Sequence, residues 1–241
     1  MFTNVGLVEH CKKALNEGWQ YVYGTIGQVL TKTILAQKQA QYPEQINKYI
    51  DLIKTFIGKR TVDCVNLIKS YLWWDSSKND VVYDIKYDKY EGTWMSADGA
   101  FSKATEKGDI STIPEIPGIC VRYPGHIGVY IGNGEVIEAR GTKYGVVKTK
   151  LNERGWTHWL KYPGIEYIDS DVVIFQRAAK HVGIYTGEID NKAGLLTRAA
   201  AEEFLKITLQ ILKLQDPRQL ADENARLKND IRVIKDVANN W

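Results

Sequence analysis

Residues 61–74 constrain the fold most, because they predict an amphipathic helix with a cysteine in its first turn. Apolar side chains recur there at three- and four-residue spacing, so one helical face can pack on a core. Asp63 is a favourable N-cap residue, which places Cys64 where unpaired backbone N–H groups and the helix dipole favour negative charge. Thiols at helix N-termini can titrate between about 3.5 and 7.5 instead of about 8.5. We therefore expect a stabilised thiolate at Cys64.

A strand-like run headed by His126 follows well downstream of this helix. Cysteine on a helix and histidine on a distant strand is the usual layout of a thiol nucleophile and its base. Asn133-Gly134 predicts a two-residue hairpin that pairs the strand of His126 with the next strand, which carries Glu138. Side chains on paired strands can meet, although the sequence does not set the register. The alternative is that Cys64 is a buried core thiol, as most free cysteines are.

Three segments, in this order, resemble the NlpC-type family of papain-like cell-wall cysteine peptidases. They are Asp63-Cys64 at a helix start, Pro117-Gly118, and the run His-Ile-Gly-Val-Tyr-Ile-Gly-Asn-Gly at 126–134. The aromatic segment at 21–24 also matches, and the resemblance covers residues 5–167.

The sequence departs from the family pattern at two places. Val65-Asn66 follows the cysteine where the family usually has Ser-Gly, and this difference bears on the shape of the pocket. Glu138 stands where the third polar residue of the family is most often histidine. This second departure changes the group that orients the imidazole ring without removing it.

The resemblance implies an α+β, papain-like catalytic domain, in which N-terminal helices precede a nucleophile helix packed on an antiparallel sheet. It also implies a catalytic triad with three distinct roles. Cys64 would attack the carbonyl of an amide bond, and His126 would take the thiol proton and pass it to the leaving amine. Glu138 would hold the imidazole ring in the required tautomer, as the third member of such a triad does.

Four further residues are expected around this triad. Tyr21 and Asp63 would contribute to the oxyanion and substrate site, as the resemblance implies. Tyr23 and Trp94 would line a substrate groove, since aromatic side chains bind sugars and peptide stems well. The alternative for the aromatic residues of 81–112 is a surface subdomain with its rings folded inward. The chemistry requires no metal and no organic cofactor.

The expected activity is hydrolysis of peptidoglycan. The family divides between endopeptidases that cut after D-glutamate and amidases that cut at muramic acid. We expect a γ-D-glutamyl endopeptidase, with N-acetylmuramoyl-L-alanine amidase of the same fold as the alternative. Two other functions stay open: a thiol acyltransferase using the same Cys-His pair, and a non-catalytic wall-binding or virion structural protein.

The composition limits which binding partners and which cellular compartment we expect for this protein. The net charge of +3 is too small to indicate nucleic-acid binding, and no apolar run reaches the length of a membrane span. The three cysteines, Cys11, Cys64 and Cys120, have no metal-like spacing and form no disulfide framework. Charged residues within 1–20 interrupt any signal-peptide core. Together with the resemblance, this predicts a phage endolysin, made in the host cytoplasm and acting on the cell wall after release.

The sequence changes character after residue 168, which predicts domains at 1–168 and 169–241. The second part reads as helices at 171–182 and 195–214, and a third helix that begins after Asp216. One segment faintly resembles an S-layer-homology repeat, which implies binding to a secondary wall polymer. Residues 217–239 contain a short heptad seam with Asn224 at a core position, which predicts a homo-oligomer. The alternative is a helix that packs on its own domain.

Other segments carry weaker predictions. Residues 3–17 read as a helix in which Cys11 is structural and His10 is a surface residue. The insertion at 28–58 is interpreted as a lid or a groove wall. His181 heads a second copy of the pattern His-hydrophobic-Gly-hydrophobic-Tyr, but a polar turn and no partner strand follow it. We therefore expect His126, and not His181, to be the base.

Overall fold

The computed structural model describes residues 2–82, 95–169, 171–187, 193–213, 228 and 231–232. The chain divides into two compact units, Met1–Ile168 and Asp169–Trp241. The groove prediction for Trp94 and the seam position Asn224 lie outside the described residues. The fold is α+β, as the sequence predicted.

The first unit contains a series of helices followed by strands. Its helices are α1 (Asn4–Asn16), α2 (Lys32–Gln41), α3 (Pro43–Asn47), α4 (Ile50–Lys54), α5 (Cys64–Leu72) and α6 (Ala97–Lys103). Its strands are β1 (Gln20–Tyr21), β2 (Ile26–Val29), β3 (Arg60–Val62), β4 (Trp74–Asp75), β5 (Asp80–Val81), β6 (Lys107–Asp109), β7 (Cys120–Tyr123), β8 (His126–Gly132), β9 (Glu135–Gly141), β10 (Gly145–Lys150) and β11 (His158–Leu160).

A six-stranded antiparallel sheet forms the centre of this unit, in the order β10-β9-β8-β7-β11-β6. The predicted hairpin joins β8 to β9, and both Asn133 and Gly134 adopt the positive φ angles that such a turn requires. Val129 pairs with Ile137 and Tyr130 with Val136. Continuing this register places Glu138 opposite Gly128, two residues along the strand from His126.

Helix α5 packs on β8 and β9, with α1 beside it. The Asp63 side chain caps α5 by accepting a hydrogen bond from the Asn66 N–H at 2.9 Å. Leu67 and Ile68 of α5 are buried in one core cluster with residues of α1 and of the sheet, including Ile127 and Ile137. The apolar face predicted for residues 61–74 therefore holds the start of α5 against the sheet.

The insertion at 28–58 builds a separate layer with its own small core. Strand β3 lies between β1 and β2 in a three-stranded sheet, and helices α2 to α4 follow β2. The side chains that form this second core are Val22, Leu30, Leu35, Ile46, Ile53 and Phe56. Pro43 begins α3, and α2 ends before it because a proline disfavours the helical conformation at the preceding residue. The role of this layer as a lid or groove wall stays a prediction.

The prediction that His10 lies on the surface is wrong. Its side chain is buried, its Nε2 is 2.7 Å from Ser70 Oγ, and the rings of Trp19, Tyr71 and Trp74 surround it at centroid distances of 5.3 to 5.8 Å. The helical pattern did assign Cys11 correctly to the core, where it is fully buried. His10 can also be buried, because its Nε2 has a hydrogen-bond partner in Ser70 on α5.

The second unit contains α7 (Asp171–His181) and α8 (Leu195–Lys213). Gln176 of α7 is fully buried and donates a hydrogen bond to Thr197 Oγ1 at 3.0 Å, which links the two helices. None of the helices described in the chain is both long enough and apolar enough to span a bilayer. Nor do the described residues group three or more His, Cys, Asp or Glu side chains where a metal ion could bind.

Candidate active site

Cys64 is the first residue of α5 and lies against the entrance of β8. Its Sγ is 4.0 Å from the carbonyl oxygen of Gly125, and the backbone N–H of Ile127 also acts on the sulfur. The sulfur therefore lies beside the backbone on both sides of His126. The side chain is partly exposed, whereas Cys11 and Cys120 are fully buried.

His126 and Glu138 form a buried hydrogen-bonded pair across β8 and β9. The imidazole Nε2 is 2.7 Å from Glu138 Oε2, and Glu138 is completely buried. Because a carboxylate only accepts hydrogen bonds, Nε2 carries the proton in this pair and Nδ1 is the acceptor nitrogen of the neutral ring. The two residues are diagonal neighbours in the sheet, which is why the side chains meet.

Glu138 also accepts hydrogen bonds from two residues that the sequence did not identify. Arg154 donates from Nε to Oε1 at 2.9 Å and from Nη2 to Oε2 at 3.2 Å. Thr149 donates from Oγ1 to Oε1 at 3.0 Å. Burial by itself would raise the pKa of Glu138, but the hydrogen bond from His126 and the charges of His126 and Arg154 lower it below the usual value. The carboxylate is therefore ionised at neutral pH.

Two aromatic rings pack against the His126 imidazole. Tyr123 pairs with His126 across β7 and β8, with ring centroids 5.0 Å apart and a tilt of 27°. The Trp156 ring lies 5.6 Å away at 14°, and it is 5.4 Å from Tyr123, so the three rings form a triangle. Arg154 connects this cluster to Glu138, because its Nη2 also donates to Tyr123 Oη at 3.0 Å.

Gly128 has no side chain, and the cluster of Trp156 and Glu138 beside His126 occupies the space where one would lie. A Cβ at this position would lie 2.8 Å from Val136 Cγ1, 3.1 Å from Trp156 Cη2 and 3.2 Å from Glu138 Cβ. The glycine in the pattern His-hydrophobic-Gly-hydrophobic-Tyr therefore has a steric role. It lets the indole and the carboxyl side chain approach the strand beside His126.

A further polar contact holds the turn before His126. Asp98, near the start of α6, accepts the Gly125 N–H at 3.1 Å and a hydrogen bond from Arg122 Nη2 at 2.7 Å. The Arg122 guanidinium also lies over the Phe101 ring at 4.6 Å. Gly125, whose carbonyl oxygen contacts Cys64 Sγ, is thus held at its N–H by Asp98.

The expectation of a thiolate at rest on Cys64 is wrong. Burial, and then the nearby charge of Asp63, raises the pKa of Cys64 to about 12. The backbone N–H groups of Cys64, Val65 and Ile127 act in the opposite direction and are outweighed. Cys64 is therefore a neutral thiol at neutral pH, and reaction at the sulfur requires that a base remove its proton.

Asp63 and Tyr21 both lie close to Cys64. Asp63 is buried, and its oxygens accept hydrogen bonds from Asn66 N at 2.9 Å, Asn66 Nδ2 at 2.7 Å and Gly24 N at 3.0 Å. Burial, followed by the charges of Cys64 and Asp63, raises the pKa of Tyr21 well above its usual value. The Tyr21 hydroxyl is therefore protonated and available as a hydrogen-bond donor near the sulfur.

Tyr23 lies farther out, at a cavity of about 760 Å³. Its ring is exposed and meets the Tyr42 ring edge-on at 4.9 Å. The wall of this cavity includes Asp63 and Val65, the residues on either side of Cys64. The structure therefore places Tyr23 in a cavity that is lined by the sequence neighbours of Cys64 and by residues of the insertion.

Two other histidines that the sequence singled out have different surroundings. His158 is on β11, where Nδ1 is 2.9 Å from Thr157 Oγ1 and the ring packs against Phe101. His181 is the last residue of α7 in the second unit, and Gly183 follows it with a φ of 79°. The described contacts thus place Cys64 Sγ beside the backbone that flanks His126 and join the His126 ring to Glu138.

Comparison with known proteins finds distant structural similarity only. No family model matches the sequence, and no curated protein matches it. The NlpC/p60 domain of the peptidoglycan hydrolase SagA is 13% identical, with a TM-score of 0.37 over 66% of this chain and 98% of that one. NlpC2 from Trichomonas vaginalis is 17% identical, with a TM-score of 0.38 over 66% and 47%. The peptidoglycan hydrolase RipB from Mycobacterium tuberculosis is 16% identical, with a TM-score of 0.36 over 68% and 67%. These similarities are too distant to assign a family or an activity.

Proposed function

We propose that the first unit is a peptidoglycan hydrolase that cleaves an amide bond of the stem peptide by a thiol mechanism. The observation that carries this proposal is the placement of Cys64 Sγ against the backbone that flanks His126, whose ring is hydrogen-bonded to Glu138. A partly exposed thiol, an imidazole and a buried carboxylate in this order form a nucleophile, a base and an orienting group.

The reaction begins with transfer of the Cys64 proton to Nδ1 of His126. The sulfur then attacks the amide carbonyl, and the oxygen takes the negative charge of the tetrahedral intermediate. The backbone N–H of Cys64 and the hydroxyl of Tyr21 are the donors proposed for this oxyanion. Nδ1–H next protonates the leaving amine, which departs and leaves a thioester on Cys64. Water, deprotonated by His126, attacks the thioester and releases the acid and the thiol.

The ionised Glu138 supports both proton transfers. Its hydrogen bond with Nε2 leaves Nδ1 as the acceptor in the neutral ring, and its charge stabilises the imidazolium that forms when the thiol proton arrives. This second effect matters because the raised pKa of Cys64 makes the transfer unfavourable without it. Arg154 and Thr149 keep the carboxylate in place.

The bond proposed for cleavage is the one after γ-linked D-glutamate. Mass spectrometry of purified peptidoglycan and of soluble muropeptides after digestion tests this proposal, because the new termini identify the bond. New termini at D-glutamate support it, whereas free stems beginning with L-alanine indicate an amidase. Binding to walls without any cleavage indicates a structural protein. A stable acyl-enzyme that only a lipid acceptor resolves indicates an acyltransferase.

Variants of the histidines separate the proposed base from the second motif. Replacing His126 with alanine should abolish muropeptide cleavage, while His181→Ala should leave the initial rate within a few-fold. The variant Glu138→Gln should be less impaired than His126→Ala, since the amide can still accept a hydrogen bond from the imidazole. An inactive His181→Ala together with an active His126→Ala would overturn the assignment of the site.

The role as a phage endolysin is part of the same proposal. If it is right, the protein made inside a bacterium should lyse the cell only when a hole-forming membrane protein lets it reach the wall. Optical density after induction, with and without that second protein, tests this role. Lysis that is independent of the hole-forming protein would contradict it.

A further inference from the structure

The cavity beside Cys64 is formed by residues that the catalytic mechanism does not use. It has a volume of about 760 Å³. One wall comes from α2, through Ile34 and Lys38, and another from the first turn of α5, through Val65 and Asn66. Asp63 and Val65 of its wall flank Cys64 in the sequence. Burial, followed by the charges of Asp63, Tyr42 and Cys64, raises the pKa of Tyr23, another wall residue, so the cavity lies within electrostatic range of the sulfur.

The charges on the cavity wall favour an anion. Among the described residues that line it, Lys38 and Lys69 are basic and Asp63 is acidic. The Asp63 oxygens already accept three hydrogen bonds, from the Gly24 N–H and from two N–H groups of Asn66. Lys69 is buried, and its Nζ is 3.5 Å from the carbonyl oxygen of Met95. The described part of the wall thus carries more positive than negative charge, and the Asp63 carboxylate is already engaged.

Lys38 is the half-buried cation of this wall. Its Nζ donates to Gln41 Oε1 at 2.9 Å and lies 5.9 Å from the centre of the Tyr42 ring. Both of these partners are neutral. Burial lowers the pKa of Lys38, although the charge of Asp63 acts against this shift. A half-buried ammonium bonded to a neutral amide gains most from a ligand that supplies a negative oxygen.

We propose that this cavity binds the free carboxylate of the substrate residue on the acyl side of the scissile bond, with Lys38 as its charged partner. This inference rests on the proposed function and specifies its substrate. A γ-linked glutamyl residue has a free α-carboxylate close to the amide that is cut. An amidated stem carries a neutral carboxamide there, and the lactyl group of muramic acid has no carboxylate at the corresponding place. Lys38 therefore selects the unamidated γ-glutamyl stem.

The test compares two soluble muropeptides that differ only in whether this glutamyl residue is a free acid or an amide. The protein with its native sequence should cleave the acid with a kcat/KM at least roughly tenfold higher, the order expected for one charge-assisted hydrogen bond. In Lys38→Gln the ratio of the two kcat/KM values should fall to about one, because kcat/KM decreases for the acid and stays unchanged for the amide. Lys38→Arg should keep the preference, because it keeps the charge.

Lys32 provides the matched control. It lies on the same helix, is exposed, and is not among the residues that line the cavity. Lys32→Gln makes the same chemical change and should keep the full preference. Equal cleavage of both muropeptides by the native protein, or an unchanged preference in Lys38→Gln, overturns this inference and leaves the hydrolase proposal standing. If the native protein cleaves neither muropeptide, the proposed function itself fails, and this inference with it.

Discussion

Two opposing effects act on the sulfur of Cys64. Its position at the start of α5 provides backbone N–H groups that stabilise a thiolate, whereas burial and the carboxylate of Asp63 destabilise it. The second pair is stronger, so the pKa rises to about 12. A helix N-terminus alone was therefore a poor guide to the charge of the thiol, because burial of the sulfur disfavours the thiolate and Asp63, the residue that caps the helix, adds a negative charge next to it.

The raised pKa makes a specific prediction for thiol labelling. Iodoacetamide should modify Cys64 before Cys11 or Cys120, which are fully buried and whose pKa values burial raises further. The rate at Cys64 should increase steadily from pH 7 to about pH 10, because the reactive thiolate fraction grows about tenfold per pH unit below the pKa. Peptide mass spectrometry of the alkylated protein measures both order and rate. Faster modification of Cys11 would contradict the assignment of the nucleophile.

His10 couples the stability of the fold to pH. Burial, then the charge of Lys13, lowers the pKa of His10 to about 4. Between that value and the unfolded value of 6.5 the unfolded chain binds more protons, so the free energy of unfolding decreases as pH falls. This group should cost about 3 kcal/mol between pH 6.5 and 4, at about 1.4 kcal/mol per pKa unit.

A phenylalanine at position 10 tests this linkage, because it fits the ring cage of Trp19, Tyr71 and Trp74 and cannot be protonated. Ser70 keeps its own hydrogen bond to the carbonyl of Leu67, so the change leaves no unpaired hydroxyl donor. The His10→Phe variant should lose less stability than the native sequence when urea unfolding is measured at pH 6.5 and then at pH 4.5. An identical loss in both proteins would show that His10 does not titrate in the folded state as argued.

At the scale of elements, the packing against β8 requires that position 128 has no side chain. The variant Gly128→Ala puts a methyl group against Val136, Trp156 and Glu138. Overpacking of this kind costs about 1–3 kcal/mol of unfolding free energy, and here it should also displace the rings beside His126 and lower kcat. Gly155→Ala is the matched control, because nothing lies within 4 Å of its added Cβ. Thermal unfolding and muropeptide turnover should change in the first variant alone.

Five of the six strands of the central sheet could be predicted from the sequence, because apolar runs alternate with turn residues between 119 and 162. The sixth strand, β6 (Lys107–Asp109), was missed because it is short and lies in a segment with little periodicity. Asn133-Gly134 also gave the hairpin that aligns His126 with Glu138. The small sheet could not be predicted in this way. Its strands β1, β2 and β3 have only two to four residues, too few to show a periodicity.

Arg154, Thr149 and Trp156 were missed for a related reason. Each reaches the site from a segment after β9, and their positions depend on how β10 and the turn at Leu151–Glu153 return along the sheet. The spacing of residues in the sequence does not show where β10 and this turn run relative to the sheet. A buried carboxylate does require several donors, so Glu138 itself indicated that such partners must exist. The identity of the partners could come only from the fold.

At the scale of the whole molecule, the first unit closes on itself. Asn4 donates from Nδ2 to the carbonyl of Pro117 at 2.9 Å and accepts the Ile168 N–H at 2.8 Å through Oδ1. Thr3 pairs with Glu166, and the Tyr167 hydroxyl donates to the carbonyl of Gly118. The first and last segments of Met1–Ile168 are therefore tied together by contacts that involve no residue of the second unit.

This closure predicts how the protein responds to truncation. A variant ending at Ile168 keeps every one of these contacts, so it should fold and hydrolyse soluble muropeptides at a rate within about twofold of the full chain. A variant ending at Pro163 lacks Glu166 and Tyr167, and it should unfold at a clearly lower temperature.

If the second unit delivers the enzyme to the wall, the variant ending at Ile168 should lose about tenfold of its activity on intact cells. Its turnover of soluble muropeptides should stay unchanged. The reason is that a second, tethered contact raises the local concentration of the enzyme at its substrate. Turbidity loss of cell suspensions and muropeptide cleavage, measured on the same preparation, separate delivery from chemistry. Equal lysis by the truncated and full chains would mean that residues 169–241 do not target the wall. A loss of both activities, with the fold intact, would assign the second unit a part in catalysis itself.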